Sequence, residues 1–408
     1  MASSRERVVV VGAGQAAAWA VRTLRKESFA GEIVLVGAEP HPPYERPPLS
    51  KAVLTGEAAP ESTHLVSTAA LQELDVVFTP GRRAEALDRT AGTVTLDDGQ
   101  SLAYDQLLLT TGARPRRLGL PGEDQAPVLY LRDIEDCLAI RAALQPGRRV
   151  IVIGGGLIGL EVAGAASTLG CAVTVVEAGD RLMARVVGPE ISEHFARLHA
   201  DHGATLVTAV LPERFETAGD GVRVVCRDGS RFDGDLVVVG VGVVPNAELA
   251  AEAGLTVDNG IWVDDQGRTD DSRIFAAGDV TNHLNPLLGR RLRLETWQNA
   301  QNQAVAVAKA MCGQDVTYAE VPWGWSDQLG ANLQILGAPD AWSAPVTRGA
   351  PDSGSFSVFY LGDGRIEAVN AVNAPRDIAV ARRLMAGNVA VDPAQLADTD
   401  VPLRKLLG

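Results

Sequence analysis

Two glycine clusters in this 408-residue chain stand where an apolar strand breaks into a helix, and each is followed by a carboxylate at a spacing that suits sugar hydroxyls. In the first, Arg7-Val8-Val9-Val10-Val11 leads into Gly12-Ala13-Gly14-Gln15-Ala16-Ala17. Gly12 permits the tight turn, Gly14 lets the backbone approach a pyrophosphate, and small Ala17 lets the new helix pack close to the strand. The next apolar run, 32–37, stops just before Glu39, in position to accept from ribose hydroxyls. The second cluster is a complete pattern, Gly154-Gly155-Gly156-Leu157-Ile158-Gly159, after the strand 149–153. Its following strand, 172–176, ends on Glu177, and a carboxylate there favours a free ribose 2′-hydroxyl and repels a 2′-phosphate. In both cases phosphate would rest on the positive N-terminus of the helix. The chemistry implied is the binding of two dinucleotides.

Other reactive or charged side chains fall between and after these turns. The stretch Pro42-Pro43-Tyr44-Glu45-Arg46-Pro47-Pro48-Leu49-Ser50-Lys51 is too proline-rich for a regular element and reads as an ordered loop. Its cations Arg46 and Lys51 are either solvated on a surface linker or aimed at the phosphates and ring system of a flavin. Their position soon after Glu39 favours the flavin. Asp279, in Ile274-Phe275-Ala276-Ala277-Gly278-Asp279-Val280, is either a helix N-cap or an acceptor for a flavin's ribityl hydroxyls, and the dinucleotide pocket already inferred favours the acceptor. Glu295, Trp297, Gln298 and Asn299 head a helix expected over 296–311. Arg181 and Arg185 stay open between adenine or phosphate contacts and a solvated helix start. Trp323 and Trp325 stay open between core and active-site wall.

The elements that must position these residues are those of a doubly wound α/β protein. Apolar content of 46% with 42 glycines and many Val and Ala runs fits parallel strands covered on both faces. The strand 107–109 leaves through Thr111-Gly112, and the strand 236–239 returns the chain through Gly240 and Gly242. Residues 115–243 therefore read as a domain inserted between 1–114 and 244–320, with a small β-meander over 76–105 turning at Asp97-Asp98-Gly99. From 321 to 408 the chain becomes aromatic and β-rich, with a hairpin and a helix over 376–385, which reads as a C-terminal α+β domain. A net charge of -14 without a broad basic patch argues against nucleic acid as a partner. Cys137, Cys171, Cys226 and Cys312 are too dispersed for a CxxC redox pair or a spaced zinc site, and no metal is expected. Residues 1–7 show no export-signal pattern, and no run is long and apolar enough to span a membrane. The expectation is a soluble cytoplasmic protein that engages no membrane.

Taken together, Gly12-Ala13-Gly14, Arg46-Pro47-Pro48-Leu49-Ser50-Lys51, Thr111-Gly112-Ala113, Tyr130-Leu131-Arg132, the second glycine cluster through Leu160-Glu161, Ala277-Gly278-Asp279-Val280 and Trp325-Ser326-Asp327-Gln328 resemble the FAD- and NADH-dependent ferredoxin reductases. These are the branch of the two-dinucleotide-domain flavoprotein disulfide reductases that lacks the disulfide. Within that family, Leu294-Glu295-Thr296-Trp297-Gln298-Asn299-Ala300-Gln301-Asn302-Gln303 is most similar to the reductase components of Rieske-type aromatic-ring dioxygenase systems. The resemblance implies two Rossmann-like domains, an FAD domain split by an NAD domain, followed by the C-terminal domain. It implies FAD contacts at Ala16, Glu39, Lys51, Ala84, Arg132, Asp279 and Trp297, with Gly278 and Glu295 beside them. Glu161 and Glu177 correspond to positions facing the nicotinamide and the adenosine ribose of NAD, with Ile158, Arg185 and Gly242 in the same neighbourhood. Lys51, Glu161 and Trp325 are the expected catalytic positions, Lys51 as the cation beside the reduced flavin. Ala17 in place of a third glycine is a tolerated departure, whereas Leu329-Gly330-Ala331 bears on the identity of the acceptor.

The expected activity is transfer of a hydride from NADH to FAD and of single electrons to a Rieske-type [2Fe-2S] ferredoxin, with Arg290, Arg291 and Arg293 as cations facing an acidic partner. The alternatives are a reductase for a haem-thiolate monooxygenase ferredoxin or rubredoxin, an NADH oxidase, a monodehydroascorbate reductase, and an NADH-switched flavoprotein binding module.

Overall fold

The computed structural model describes residues 6–407, in two compact units. The first five residues, part of the stretch read for an export signal, lie outside the described residues. The described residues of the first unit are 6–45, 61–114 and 244–320. Its parallel sheet runs Ile274–Ala276, Gln106–Leu109, Arg7–Val11, Glu32–Gly37, Val76–Pro80. Strand side chains alternate, so the four successive valines serve two cores. Val8 and Val10 pack with Ala17, Ala20 and Leu24 of the helix Gln15–Lys26 and with Ala304, Val307 and Ala308 of Trp297–Met311. Val9 and Val11 pack with Val94, Leu96 and Leu102 on the other face. Those residues belong to a three-stranded antiparallel sheet, Ala84–Asp88, Thr93–Leu96 and Ser101–Ala103.

The meander read over 76–105 is thus shorter than expected. Val76–Pro80 pairs in parallel with Glu32–Gly37 and belongs to the main sheet. A period-two pattern does not distinguish an edge strand of one sheet from the first strand of another. The helix expected from 296 starts at Trp297, with the Thr296 hydroxyl capping it by accepting from the Asn299 N–H at 3.2 Å.

One buried histidine in this unit makes a pH prediction. His283, on the strand Thr281–Asn285, is fully buried beside the Tyr318 ring, and neither ring nitrogen has a hydrogen-bond partner among the described residues. Burial, with a smaller contribution from the Arg291 charge, lowers its imidazole from 6.5 to about 4. Between those values the unfolded chain binds the proton and the folded one does not, so stability falls as pH drops from about 6.5 towards about 4. Denaturant titrations across that window should lose up to about 3 kcal/mol through this group. His283→Phe should flatten that part of the profile.

The described residues of the second unit are 46–60, 115–243 and 321–407. Its parallel sheet runs Thr205–Val207, Ala172–Val176, Arg149–Ile153, Leu236–Val239, Val128–Tyr130, with an antiparallel sheet of Pro212–Ala218, Gly221–Cys226 and Arg231–Gly234. The C-terminal part is larger than a hairpin. Five antiparallel strands run Trp323–Gln328, Ala331–Gly337, Arg365–Val372, Ser355–Gly362, Pro345–Ala350, and the helix Pro375–Ala386 packs on them. The proline-rich stretch is also more regular than a loop. Pro47–Ser50 forms a 3-10 turn and Ala52–Thr55 one turn of helix. Prolines are tolerated at the start of the turn because the missing N–H groups would have no partner there.

Candidate active-site residues

The glycines of the two turns divide into those that the fold needs and those that it leaves free. Gly12 has φ +104, and a Cβ there would lie 2.3 Å from the Thr110 carbonyl oxygen. Gly154 has φ +106 with the same conflict at 2.4 Å from the Gly240 oxygen, and a Cβ on Gly159 would lie 2.0 Å from the Gly154 oxygen. Gly14 and Gly156 are different. Their backbones are extended, with φ -94 and -80, which any residue adopts. A Cβ on Gly14 would meet nothing within 4 Å, and one on Gly156 only the Gly240 oxygen at 4.0 Å. Each is an N-cap without a side-chain cap, so the first N–H groups of the helix lack a side-chain partner. Open space over an uncapped helix start is what a pyrophosphate requires. FAD and NAD fit these residues on that ground.

In the first unit several predicted positions converge. A Cβ on Gly278, φ +85, would lie 3.2 Å from the Ala16 Cβ, so the Gly278-Asp279 turn sits against the first glycine turn. Gln303, buried on the helix Trp297–Met311, accepts from the Gly278 N–H at 2.9 Å and from the Thr281 hydroxyl at 3.0 Å, and so fixes the turn that presents half-buried Asp279. Glu39 accepts from the Tyr44 hydroxyl. The Trp297 indole N–H donates to Glu45 at 2.8 Å, and its carbonyl accepts from Gln15 at 2.9 Å. Glu295 is exposed and ion-paired with Arg293. Ala84 opens the antiparallel sheet and packs against the core that holds Val9 and Val11. Thr111 is tied to Asn246, giving its hydroxyl to the Asn246 carbonyl at 2.7 Å and receiving the Asn246 amide on its own carbonyl at 2.9 Å; Gly112, φ +63, follows. Asn246 and Gln303 were not singled out from the sequence, although Gln303 lies in the polar head of that helix.

Arg291 and Arg293, expected as cations facing an acidic partner, are also engaged within their own unit. Arg291 donates to the Val263 and Asn282 carbonyls at 2.9 and 2.8 Å and stacks 4.2 Å over the Trp262 ring, while Arg293 is held by Glu295 and Asn259. Arg290 is half-buried at the start of the strand Arg290–Leu292.

In the second unit Glu177 accepts from the Gly155 and Gly179 N–H groups, each at 2.6 Å, so its carboxylate is locked beside the second glycine turn. Arg185 is exposed, its guanidinium 3.2 Å from where a Cβ on Gly242, φ +97, would lie. Arg181 instead donates to the Val187 and Ala184 carbonyls and to Ser192, which makes it an internal clasp. Ile158 is 45% exposed on the first turn of the helix Leu157–Thr168. Arg46 donates to the Arg132 carbonyl at 2.7 Å. Glu161, 4% exposed, is paired with Lys51 at 2.6 Å and also accepts from the Ser50 and Ser326 hydroxyls. Trp325 is half-buried, stacked on Trp323 with centroids 5.3 Å apart, and its indole N–H donates to Asp327 at 3.1 Å. Trp323 packs against the C-terminal core.

All four cysteines are free thiols. Cys137, Cys171 and Cys226 are buried, and burial raises the Cys137 thiol to about 11, far from a reactive thiolate. No helix among the described residues is long and apolar enough to cross a membrane.

Two strand-turn-helix units, each with an uncapped helix start and open space over it, are the architecture of a two-dinucleotide oxidoreductase. Residues 6–304 match the pyridine nucleotide-disulphide oxidoreductase family and residues 323–407 the reductase C-terminal family, and the chain belongs to these ferredoxin–NAD(+) reductases of the disulphide-oxidoreductase type. It is 46% identical over 405 residues to the ferredoxin–NAD(+) reductase component of the anthranilate 1,2-dioxygenase system of Burkholderia cepacia, covering 99% of this chain and 100% of that one. Among solved structures, the ferredoxin reductase for the CYP199A2 system of Rhodopseudomonas palustris superposes with TM-score 0.96 at 38% identity, over 99% of this chain and 100% of that one. The reductase in a covalent putidaredoxin reductase–putidaredoxin complex does so at 0.95 and 37%, over 99% of each.

Proposed function

We propose that this chain is an NADH:ferredoxin oxidoreductase that serves a Rieske-type [2Fe-2S] ferredoxin of an aromatic-ring dioxygenase system in the cytoplasm. The observation that carries this reading is the pair of glycine turns with open faces that the fold itself does not use. The anthranilate dioxygenase relative, similar over its whole length, supports the acceptor class. Residues 1–114 and 244–320 form the FAD domain, 115–243 the NAD domain, and 321–408 the C-terminal domain. When bound, FAD supplies the step from two-electron hydride chemistry to one-electron transfer. The chain's own residues hold and orient. Glu39 and Asp279 accept from hydroxyls of FAD, the uncapped helix starts at Gly14 and Gly156 receive phosphates, and Lys51 with Glu161 sets the charge near the reacting rings.

Glu177 excludes a 2′-phosphate by charge, so NADH is strongly preferred over NADPH. Glu177→Gln should narrow that preference about tenfold, about 1.4 kcal/mol of discrimination. Comparable kcat/KM with the two nucleotides in the unaltered protein would refute the assignment of Glu177.

The second reading, a reductase for a haem-thiolate monooxygenase ferredoxin, is favoured by the close superposition on the reductase of the CYP199A2 system. Parallel assays with a purified Rieske-type ferredoxin and with a monooxygenase ferredoxin separate the two. The proposal expects a higher kcat/KM with the Rieske-type protein, and the reverse order would overturn it.

A further inference from the structure

Both oxygens of the Glu161 carboxylate are engaged. Oε2 meets the Ser50 hydroxyl and Lys51 Nζ, while Oε1 accepts from the Ser326 hydroxyl at 2.5 Å. Ser326 lies on the C-terminal strand Trp323–Gln328, where alternation buries Ser326 and Gln328 and turns Trp325 and Asp327 outward.

The Gln328 amide nitrogen donates to Ser326 Oγ at 2.9 Å, and its oxygen lies 3.0 Å from His199 Nε2. With the amide in this orientation its oxygen accepts and His199 Nε2 is the donor. Burial lowers the His199 imidazole below its usual value, and Nδ1 has no partner among the described residues. Ser326 already accepts from Gln328, so its single proton goes to Glu161. A hydroxyl and an amide this deeply buried cost stability unless each bond is made, and an apolar pair would fill the same strand without that cost.

We propose that Ser326 and Gln328 are positioning residues through which the C-terminal sheet fixes the Glu161 carboxylate, and through it the Lys51 ammonium. This rests on the reading that Lys51 and Glu161 serve hydride transfer. It gives the inward half of the Trp-Ser-Asp-Gln strand a role in that step, separate from any role of its outward half in docking.

The test uses the full-length, FAD-loaded protein and acetic anhydride, with mass spectrometry following each of the four lysines, Lys26, Lys51, Lys309 and Lys405. In Ser326→Ala, Lys51 should be acetylated several-fold faster while the other three keep their rates, because the carboxylate that holds it has lost one fixed oxygen. Ser326→Thr retains the hydroxyl and should restore protection. The limiting rate of flavin reduction should fall about tenfold in Ser326→Ala with the NADH Kd unchanged. Gln328→Leu should release Lys51 in the same direction and serves if Ser326→Ala does not fold. Unchanged Lys51 acetylation in both variants, or failure of threonine to restore protection, would overturn the proposal. Release of Lys51 together with normal flavin reduction in Lys51→Met would instead uphold the positioning and refute the functional reading on which it rests.

Discussion

Gly156→Val should leave the protein folded and loaded with FAD while weakening NADH about a hundredfold. The fold does not need glycine there, since its φ is -80 and a Cβ would meet only one oxygen, at 4.0 Å. Valine is a poorer N-cap than glycine, which costs the helix about 1 kcal/mol at most. The pyrophosphate, by contrast, needs the backbone itself, and loss of its charge-assisted N–H contacts and helix-end attraction accounts for about 2.7 kcal/mol. Gly14→Val should do the same to FAD retention and spare NADH binding. Gly154→Val is the control, expected to misfold because its Cβ would lie 2.4 Å from a carbonyl oxygen. Titration calorimetry with NAD and the flavin absorbance of the purified variants read all three. Normal NADH affinity in Gly156→Val would remove the glycine turn from the binding site.

Lys51→Met should slow flavin reduction about a hundredfold, the scale on which single preorganised donors stabilise developing charge. NADH affinity should change little. Lys51 is held at 2.6 Å by a carboxylate that is itself fixed by Ser50 and Ser326, with only 19% of its side chain exposed, so its charge does not wander into solvent. Interactions that matter only as charge develops appear in the limiting rate and not in Kd. Stopped-flow reduction under anaerobic conditions decides between the two. An unchanged limiting rate would return Lys51 to the structural ion pair alone.

Much of the framework was legible because glycine constraints and apolar runs are local signals. Gly12 read correctly as a tight-turn residue, and the glycines Gly154 and Gly159 of the second pattern, like Gly12, prove to face a carbonyl oxygen. The valine run read correctly as a strand covered on both faces, with Val8 and Val10 in one core and Val9 and Val11 in the other. What was not legible depends on partners distant in sequence. Ser326 reaches Glu161 across 165 positions, and Asn246 reaches Thr111 across 135. The contacts of Arg291 and Arg293 were not legible either, because nothing in their own segment announces Trp262 or Asn259. Arg181 and Arg185 were indistinguishable in the sequence, and only the loop that folds back to offer the Val187 and Ala184 carbonyls separates them. Val76–Pro80 was assigned to the wrong sheet because alternation gives the period of a strand and not its neighbour.

Whether electrons from NADH leave this protein singly to a ferredoxin without passing through a thiol is decided by mixing the FAD-loaded protein anaerobically with NADH and an excess of purified Rieske-type ferredoxin. The account predicts that each NADH, a two-electron donor, reduces a pair of one-electron ferredoxins, at a rate well above that of turnover with oxygen alone. It also predicts the same stoichiometry when Cys137, Cys171, Cys226 and Cys312 are all replaced by serine or alanine. Ferredoxin left oxidised while NADH is consumed only in the presence of oxygen, or reduction abolished in the cysteine-free protein with its flavin content intact, would contradict it.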